Sequence, residues 1–359
     1  MSRLQRYSLV VIATVLTVAA LRAADGFFVP LVFGIVLALA LAPIVRRLER
    51  FMARWVASGL VVITVVSGVG AMAYTLSDEA SEAIAGLPNA TRALRETLRD
   101  LVNRREGTLS KIQQAATELQ ETATENSDRP LTPKGVTPVQ VVAPPVDFTN
   151  FVWFGSQGIL ASLGAAAVIG FLVYFLLAAG ELFKRKFVRL AGDTLSERKV
   201  TLQVIEQIGE RVAKSLLHLG FAGVLVGIAT WAMLTWFGVQ YAGLWGLAAA
   251  LMNCIPYLGP AVVAAGLFLA GLLQFDLATA LMISGVSMVI TTVEGSLFTP
   301  IVFGRSVALN PVAVFVSFMF WGWLWGIPGM FLALPLLTII KTIAESVDDL
   351  APLAELLSD

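Results

Sequence analysis

Long apolar runs recur along almost the whole chain, and they constrain its fold more than any other feature. Eight runs occur, at residues 7–24, 27–45, 55–76, 150–180, 215–237, 241–273, 277–302 and 307–340. A membrane-spanning helix needs about 20 consecutive apolar residues. Helices can also satisfy all their backbone hydrogen bonds internally, as lipid requires. We therefore predict an all-α polytopic membrane protein with about eight membrane segments.

The composition narrows the class of function. Charged residues make up 14% of the 359 residues and the formal net charge is zero, whereas soluble domains carry about 25% charged residues. Neutrality gives no support for nucleic acid as a partner. The single cysteine and single histidine predict neither a disulfide framework nor a metal site, and we expect no cofactor. Zinc-protease, Gly-x-Ser-x-Gly and Walker A motifs are absent from the sequence, so an enzyme is not expected.

Clusters of basic residues predict the orientation in the membrane. Arg46, Arg47, Arg50 and Arg54 follow the second run, and the fourth run ends before Lys184 and Arg185. The positive-inside rule places both loops, the N-terminus and the C-terminus in the cytoplasm. The chain is predicted to begin with three membrane helices (1–77). A polar and largely helical extracytoplasmic insertion (78–149) follows, with a flexible proline-rich stretch at 126–147. The remaining parts are a fourth membrane helix (150–180), a cytoplasmic amphipathic segment (181–214), a transport core (215–342) and a cytoplasmic tail (343–359).

Two of the last four runs are interrupted by proline and glycine. The run 241–273 contains Asn253-Cys254-Ile255-Pro256-Tyr257-Leu258-Gly259-Pro260, and the run 307–340 contains Gly326-Ile327-Pro328-Gly329. Proline lacks the amide hydrogen that a continuous helix needs. Each run would be roughly 50 Å long as a helix, against a hydrocarbon core of about 30 Å. Two topologies remain open: eight simple spans, or six spans with two re-entrant hairpins that form an inverted repeat.

Broken membrane helices are where many transporters bind their substrates. Asn253 and Tyr257 offer hydrogen bonds beside the first break, and freed carbonyl groups near Ile255 and Leu258 could bind a hydroxyl group or a cation. Pro328 and Gly329 would supply a facing break. The candidate substrate-binding or coupling residues are Asn253, Pro256, Tyr257, Gly259, Pro260, Glu294, Arg305, Pro328 and Gly329.

Glu294 is the carboxylate placed most clearly inside a predicted span. An acid within a membrane is costly unless it is paired, protonated or hydrated, which makes it a functional candidate and a plausible proton carrier. The structural alternative is an ion pair, for instance with Arg305. His218 is predicted to be a satisfied or packing histidine at a helix start, because the sequence supplies no partner ligand.

Several motifs in the C-terminal half carry a family resemblance. They are the segment 253–260, Glu294 followed by Thr299-Pro300, then Gly304-Arg305, Asn310-Pro311, the segment 326–330, and Ala333-Leu334-Pro335. With these motifs the chain resembles the AI-2E family of transporters, which are autoinducer-2 exporter-like permeases. The resemblance implies a bacterial inner-membrane exporter of a small polar metabolite, with autoinducer-2 as the named substrate, and a homo-oligomer, expected to be a pentamer. Some relatives look like sodium/proton antiporters, so the alternative is a cation/proton antiporter that uses Glu294.

Overall fold

The computed structural model describes residues 3–86, 148–180, 186, 188–189, 195–299, 301, 309–347 and 350–358, with the backbone alone described for residues 3–7, 10, 148–163 and 195–197. Its elements are α1 (Arg3–Ala23), α2 (Asp25–Leu48), α3 (Arg54–Thr75), α4 (Phe148–Ala179), α5 (Leu195–Phe237), α6 (Ala242–Met252), α7 (Leu258–Gln274), α8 (Leu277–Val293), a π-helical turn (Glu294–Phe298), α9 (Pro311–Ser346) and α10 (Ala351–Leu356). Residues 77–86 are helical as well, and no strand occurs in these ranges. The all-α prediction is confirmed for this part of the chain.

Five helices in the described ranges are long and apolar enough to cross a bilayer. They are Asp25–Leu48, Arg54–Thr75, Arg198–Phe237, Leu277–Phe298 and Pro311–Ser346. The shorter apolar helices are Val11–Ala23, Gly164–Ala179, Ala242–Met252 and Leu258–Gln274. The chain is therefore a multi-pass membrane protein, although these helices do not match the predicted eight segments one for one.

The chain forms two compact units, one made of Met1–Ala83 with Ser162–Asp359 and the other of Ile84–Ala161. The described parts of the second unit, 84–86 and 148–161, are helical. Most of the predicted insertion 78–149, including its proline-rich stretch, lies outside the described residues. Every contact reported below lies within the first unit.

The predicted amphipathic segment 181–214 does not form a helix separate from the following span. Helix α5 is continuous over 43 residues, or about 64 Å. Its N-terminal half packs on the bundle, because Val212 is fully buried in a cluster with Val36 of α2 and Leu332 of α9. Ile208, one turn earlier on the same face, packs against this cluster as well.

The first broken run folds back on itself as a helical hairpin made of α6 and α7. A Cβ on Gly259, beside the turn, would lie 1.8 Å from the carbonyl oxygen of Met252. Two helical turns further from the break, a Cβ on Gly266 would lie 2.7 Å from the Trp245 ring. These paired contacts make the two helices antiparallel, and they exclude a single kinked helix. Tyr257 turns the chain with a positive φ of 63°.

The second broken run is also a hairpin, because α9 consists of two helical arms that meet at the non-helical residue Gly326. Gly326 has φ 65° and ψ −143°, and the chain reverses there between a first arm (311–325) and a second arm (327–346). A Cβ on Gly329 would lie 2.0 Å from the carbonyl oxygen of Trp321. Deeper in the stem, the Ser317 hydroxyl donates to the carbonyl of Ala333 over 3.1 Å, and the bond is buried.

Small residues join α5 to α6, which the sequence analysis did not single out. A Cβ on Gly223 would lie 2.7 Å from the carbonyl oxygen of Ala250, and one on Gly227 would lie 2.9 Å from that of Gly246. Small residues let helix backbones approach closely in a membrane, where dispersion contacts drive helix association. The two helices are antiparallel, since Gly223 of α5 meets Ala250 and the later Gly227 meets the earlier Gly246.

We expect Gly223→Val to destabilise the protein by about 1–3 kcal/mol, which is typical of overpacking a close contact. The matched control is Gly220→Val, one turn earlier on the same helix, where a Cβ would meet nothing within 4 Å. Thermal unfolding of the purified protein in detergent measures the difference. Equal midpoints for the two variants would contradict the close helix contact.

Candidate functional site

A π-helical turn at the end of α8 positions the intramembrane carboxylate. The turn covers Glu294–Phe298, and the amide of Thr299 donates to the carbonyl of Glu294. In a π-helix residues five apart stack on the same side, whereas an α-helix would rotate them well away from each other. The Thr299 hydroxyl accordingly reaches back and donates to Glu294 Oε1 over 2.6 Å.

Glu294 is 8% exposed and is a buried acid of the described residues. The chain of polar contacts continues past Thr299, because His218 Nε2 of α5 lies 2.9 Å from the Thr299 hydroxyl. When the hydroxyl donates to an ionised carboxylate, it can accept from an Nε2–H of His218. The resulting chain runs from imidazole through hydroxyl to carboxylate between two helices. Such a chain can hold a proton and can pass it along.

His218 is a hydrogen-bonded histidine, which was one of the two roles predicted for it, but its partner was not predicted. Its partner Thr299 is 81 residues away, and the spacing from Glu294 to Thr299 points to a shared face only if the turn is π-helical. The one signal in the sequence was a lone histidine near the start of an apolar run. That signal alone does not identify a partner.

The tip of the first hairpin lies at the level of this polar chain. In the α7–α8 pair, Gly271 lies against Ala280 and the Ser284 hydroxyl donates to the carbonyl of Ala264 over 2.9 Å. Continuing this register brings the start of α7, at Leu258, to about the depth of the end of α8. The contacts of α5 with α6 likewise place Met252 at nearly the same depth in the bundle as His218, with a difference of about one helical turn.

The residues of the first break have different surroundings. Tyr257 is 68% exposed, whereas Ile255 is 5% exposed. Gly259 is buried, and Asn253, Pro256 and Pro260 are half-buried. The carbonyl oxygen of Ile255 itself accepts from the Gly259 amide over 3.0 Å. The side chains of Asn253 and Tyr257, and not that carbonyl, are what the tip offers to a ligand.

The second break contacts α1 at its tip. The indole of Trp325 donates to the carbonyl of Leu21, at the end of α1, over 3.0 Å, and the Arg22 guanidinium lies 4.7 Å from the centre of the Trp323 ring. Ile255, by contrast, packs in a cluster with Phe318 of the stem. Pro328 is exposed and Gly329 is buried, and the structure does not bring them to the polar chain.

Arg305 lies outside the described residues, so the alternative of an ion pair with Glu294 stays a prediction. Among the residues that the structure describes, no group of three or more histidine, cysteine, aspartate and glutamate side chains could hold a metal ion. The described candidate site is therefore Glu294, Thr299 and His218.

A family model for "AI-2E family transporter" matches residues 9–349 of the chain. A "Putative transport protein" of Haemophilus influenzae is 25% identical over 99% of this chain and 97% of its own length. The "Putative transport protein YhhT" of Escherichia coli K12 is 24% identical over 96% of this chain and 91% of its own. The "AI-2 transport protein TqsA" of the same organism is 35% identical over 44% of this chain and 46% of its own length.

Proposed function

The chain belongs to the AI-2E family of transporters, and on that basis we propose that it moves a small polar solute across the membrane by secondary transport. A membrane transport role follows from the family itself. The proposal adds the coupling group, Glu294, and the substrate class. The observation that carries it is the chain of hydrogen bonds from His218 through Thr299 to the buried carboxylate of Glu294.

Burial of the carboxylate supports a coupling role. Polar and ionisable groups inside a membrane protein are costly and line solute or proton paths more often than they stabilise the fold. Glu294 receives one hydroxyl donor from Thr299 and no ion pair from the residues whose positions are described. A carboxylate held by a neutral donor can exchange a proton without breaking a salt bridge.

For the topology, we propose six crossings and two re-entrant hairpins that enter from opposite faces of a bacterial inner membrane. The Arg211–Glu345 ion pair joins the N-terminal half of α5 to the base of the second hairpin, and the Arg46 charge acts on Glu210 of the same helix turn. The base of that hairpin thus lies at the arginine-rich end. The first hairpin begins at the other end of α5. Both termini would then be cytoplasmic.

The proposed substrate is a small polar metabolite similar to autoinducer-2, in the direction of export. The name of the Escherichia coli relative TqsA, an AI-2 transport protein, supports this class, as do the hydrogen-bonding side chains of Asn253 and Tyr257. We also propose that the protein is a homo-oligomer, and from the family we expect a pentamer. The relatives named above are transport proteins by name and none is named an antiporter, so we do not extend the proposal to sodium/proton exchange.

The direct test is flux in proteoliposomes that contain the purified protein. Autoinducer-2 and Na⁺ are the probes, and a pH gradient is imposed across the liposome membrane. We expect autoinducer-2 flux that rises with the gradient and is absent from empty liposomes. Flux of Na⁺ alone would replace this proposal with cation/proton exchange. Flux of autoinducer-2 that ignores the gradient would favour facilitated export without coupling.

We expect Thr299→Val to reduce gradient-driven flux roughly tenfold, the effect of losing one hydrogen bond to a charged group. Valine keeps the volume of threonine but removes the hydroxyl that joins Glu294 to His218. The rescue variant is Thr299→Ser, which restores the hydroxyl. The measurement is the initial rate in the same liposomes at several pH values. A Thr299→Val rate equal to wild type at every pH would leave the hydroxyl with a packing role only.

A further inference from the structure

A cleft of about 790 Å³ opens at the arginine-rich end of the bundle, away from the hairpin tip of the candidate site. It is bounded by α2, by the end of α4 with the start of α3, and by the N-terminal half of α5. The lining residues that matter here are Arg46, Arg47, Arg54, Glu210 and Lys214 at the rim, and Ile35, Ala38, Leu39, Ala42 and Leu176 along the wall. The cleft therefore has a charged mouth and an apolar interior.

Two of the cations at the mouth are already engaged. Arg54 donates to the carbonyl of Leu177 over 2.8 Å and pairs with Glu49 over 3.1 Å. Lys214 pairs with Glu210 of its own helix over 2.9 Å. These contacts hold the side chains of Arg54 and Lys214 in place. The rest of the positive charge at the mouth of the cleft is on α2.

Arg46 and Arg47 supply that charge. Both are exposed, and neither makes a hydrogen bond or an ion pair with any residue that the structure describes; the Arg46 charge is felt only at a distance by Glu210. They stand side by side at the end of a membrane-spanning helix, Asp25–Leu48. Guanidinium groups bind phosphate oxygens in a bidentate manner, so the pair is suited to one phosphodiester.

We propose that this cleft binds one anionic phospholipid, with its phosphate on Arg46 and Arg47 and an acyl chain along the apolar wall. Basic pockets between membrane helices near the cytoplasmic leaflet recognise anionic headgroups in this way. The apolar wall favours a lipid over a free phosphate, because a soluble anion gains nothing from Leu39 or Leu176. Glu210, on the opposite side of the mouth, confines the phosphate to the α2 side. The site is separate from the transport proposal and does not depend on it.

The test is native mass spectrometry of the full-length protein, purified in detergent and titrated with phosphatidylglycerol. We expect one tightly retained lipid per chain in the wild type. Retention should fall about 30-fold in the double variant Arg46→Gln/Arg47→Gln, which corresponds to about 1 kcal/mol for each basic residue near an anionic headgroup. The matched control is Arg50→Gln, the same charge change in the same loop at a residue that does not line the cleft.

A second variant tests the wall without changing any charge. A Cβ on Gly209 would lie 3.7 Å from the Leu39 side chain, which is ordinary contact, so Gly209→Met fits the helix and fills the cleft. We expect it to displace the lipid as the double variant does. Retention equal to wild type in both variants would overturn the proposal. Two other results would overturn the proposal: inorganic phosphate alone displaces the lipid, or Arg50→Gln loses the lipid as well. Either result would mean that non-specific charge attraction holds the lipid.

Discussion

Glu294→Gln is expected to abolish solute flux driven by an imposed pH gradient and to leave solute exchange between equal pools intact. Glutamine has almost the same shape, and its carbonyl oxygen can still accept from the Thr299 hydroxyl, which lies 2.6 Å from the carboxylate. It cannot bind and release a proton. The variant therefore removes coupling while the buried contacts of the π-turn stay in place.

The two fluxes are measured with autoinducer-2 in the proteoliposomes described above, once with a pH gradient and once at equal pH with labelled solute on one side. The matched control is Glu355→Gln, because Glu355 lies on an exposed face of α10. Gradient-driven flux that survives in Glu294→Gln would give this carboxylate a structural role. Loss of exchange together with driven flux would make Glu294 a solute ligand instead.

Gly259→Ala is expected to destabilise the protein by more than about 3 kcal/mol, beyond the usual range for overpacking. The added Cβ would lie 1.8 Å from the Met252 carbonyl oxygen, and backbone atoms cannot move aside as a flexible side chain can. Opening the hairpin would also separate Trp245 from Gly266. Gly259→Ala thus disrupts the first hairpin, which brings its tip to the depth of Glu294, Thr299 and His218.

Thermal unfolding of the purified protein in detergent measures the loss, and autoinducer-2 flux should fall in parallel. The control is Gly285→Ala in the neighbouring helix α8, where a Cβ would meet nothing within 4 Å and where alanine is the better helix former. If the two variants unfold at the same temperature, the hairpin contact between Met252 and Gly259 is contradicted.

Sequence patterns predicted the broken runs but could not give their shape. Pro256 and Gly326 locate the interruptions, yet proline and glycine are compatible with a kink, a bend or a reversal. Reversal depends on a contact between Met252 and Gly259 on opposite sides of the turn, which is a property of three-dimensional packing. The same limit explains the α5–α6 contact, where Gly223 meets Ala250 across 26 intervening positions of ordinary apolar sequence.

The candidate site was predicted in part. Glu294 was found because an acid in an apolar run is conspicuous, and it is buried as expected. Its partners were not found, because a π-turn has no clear sequence signature and His218 comes from a distant helix. That Pro328 and Gly329 supply a break facing the first stays a prediction. Trp325, beside them, donates to the carbonyl of Leu21 in α1.

The π-turn has one further consequence, which concerns rotation. A π-turn contains one residue more than the α-helical turn it replaces, and each residue of an α-helix advances the side chains by about 100°. If the turn returned to α-helical geometry, everything beyond it would rotate by about that angle relative to α8. Thr299 would then leave the carboxylate, and the bond to His218 would break with it. The protonation chemistry of Glu294 is thereby tied to the winding of a single helical turn.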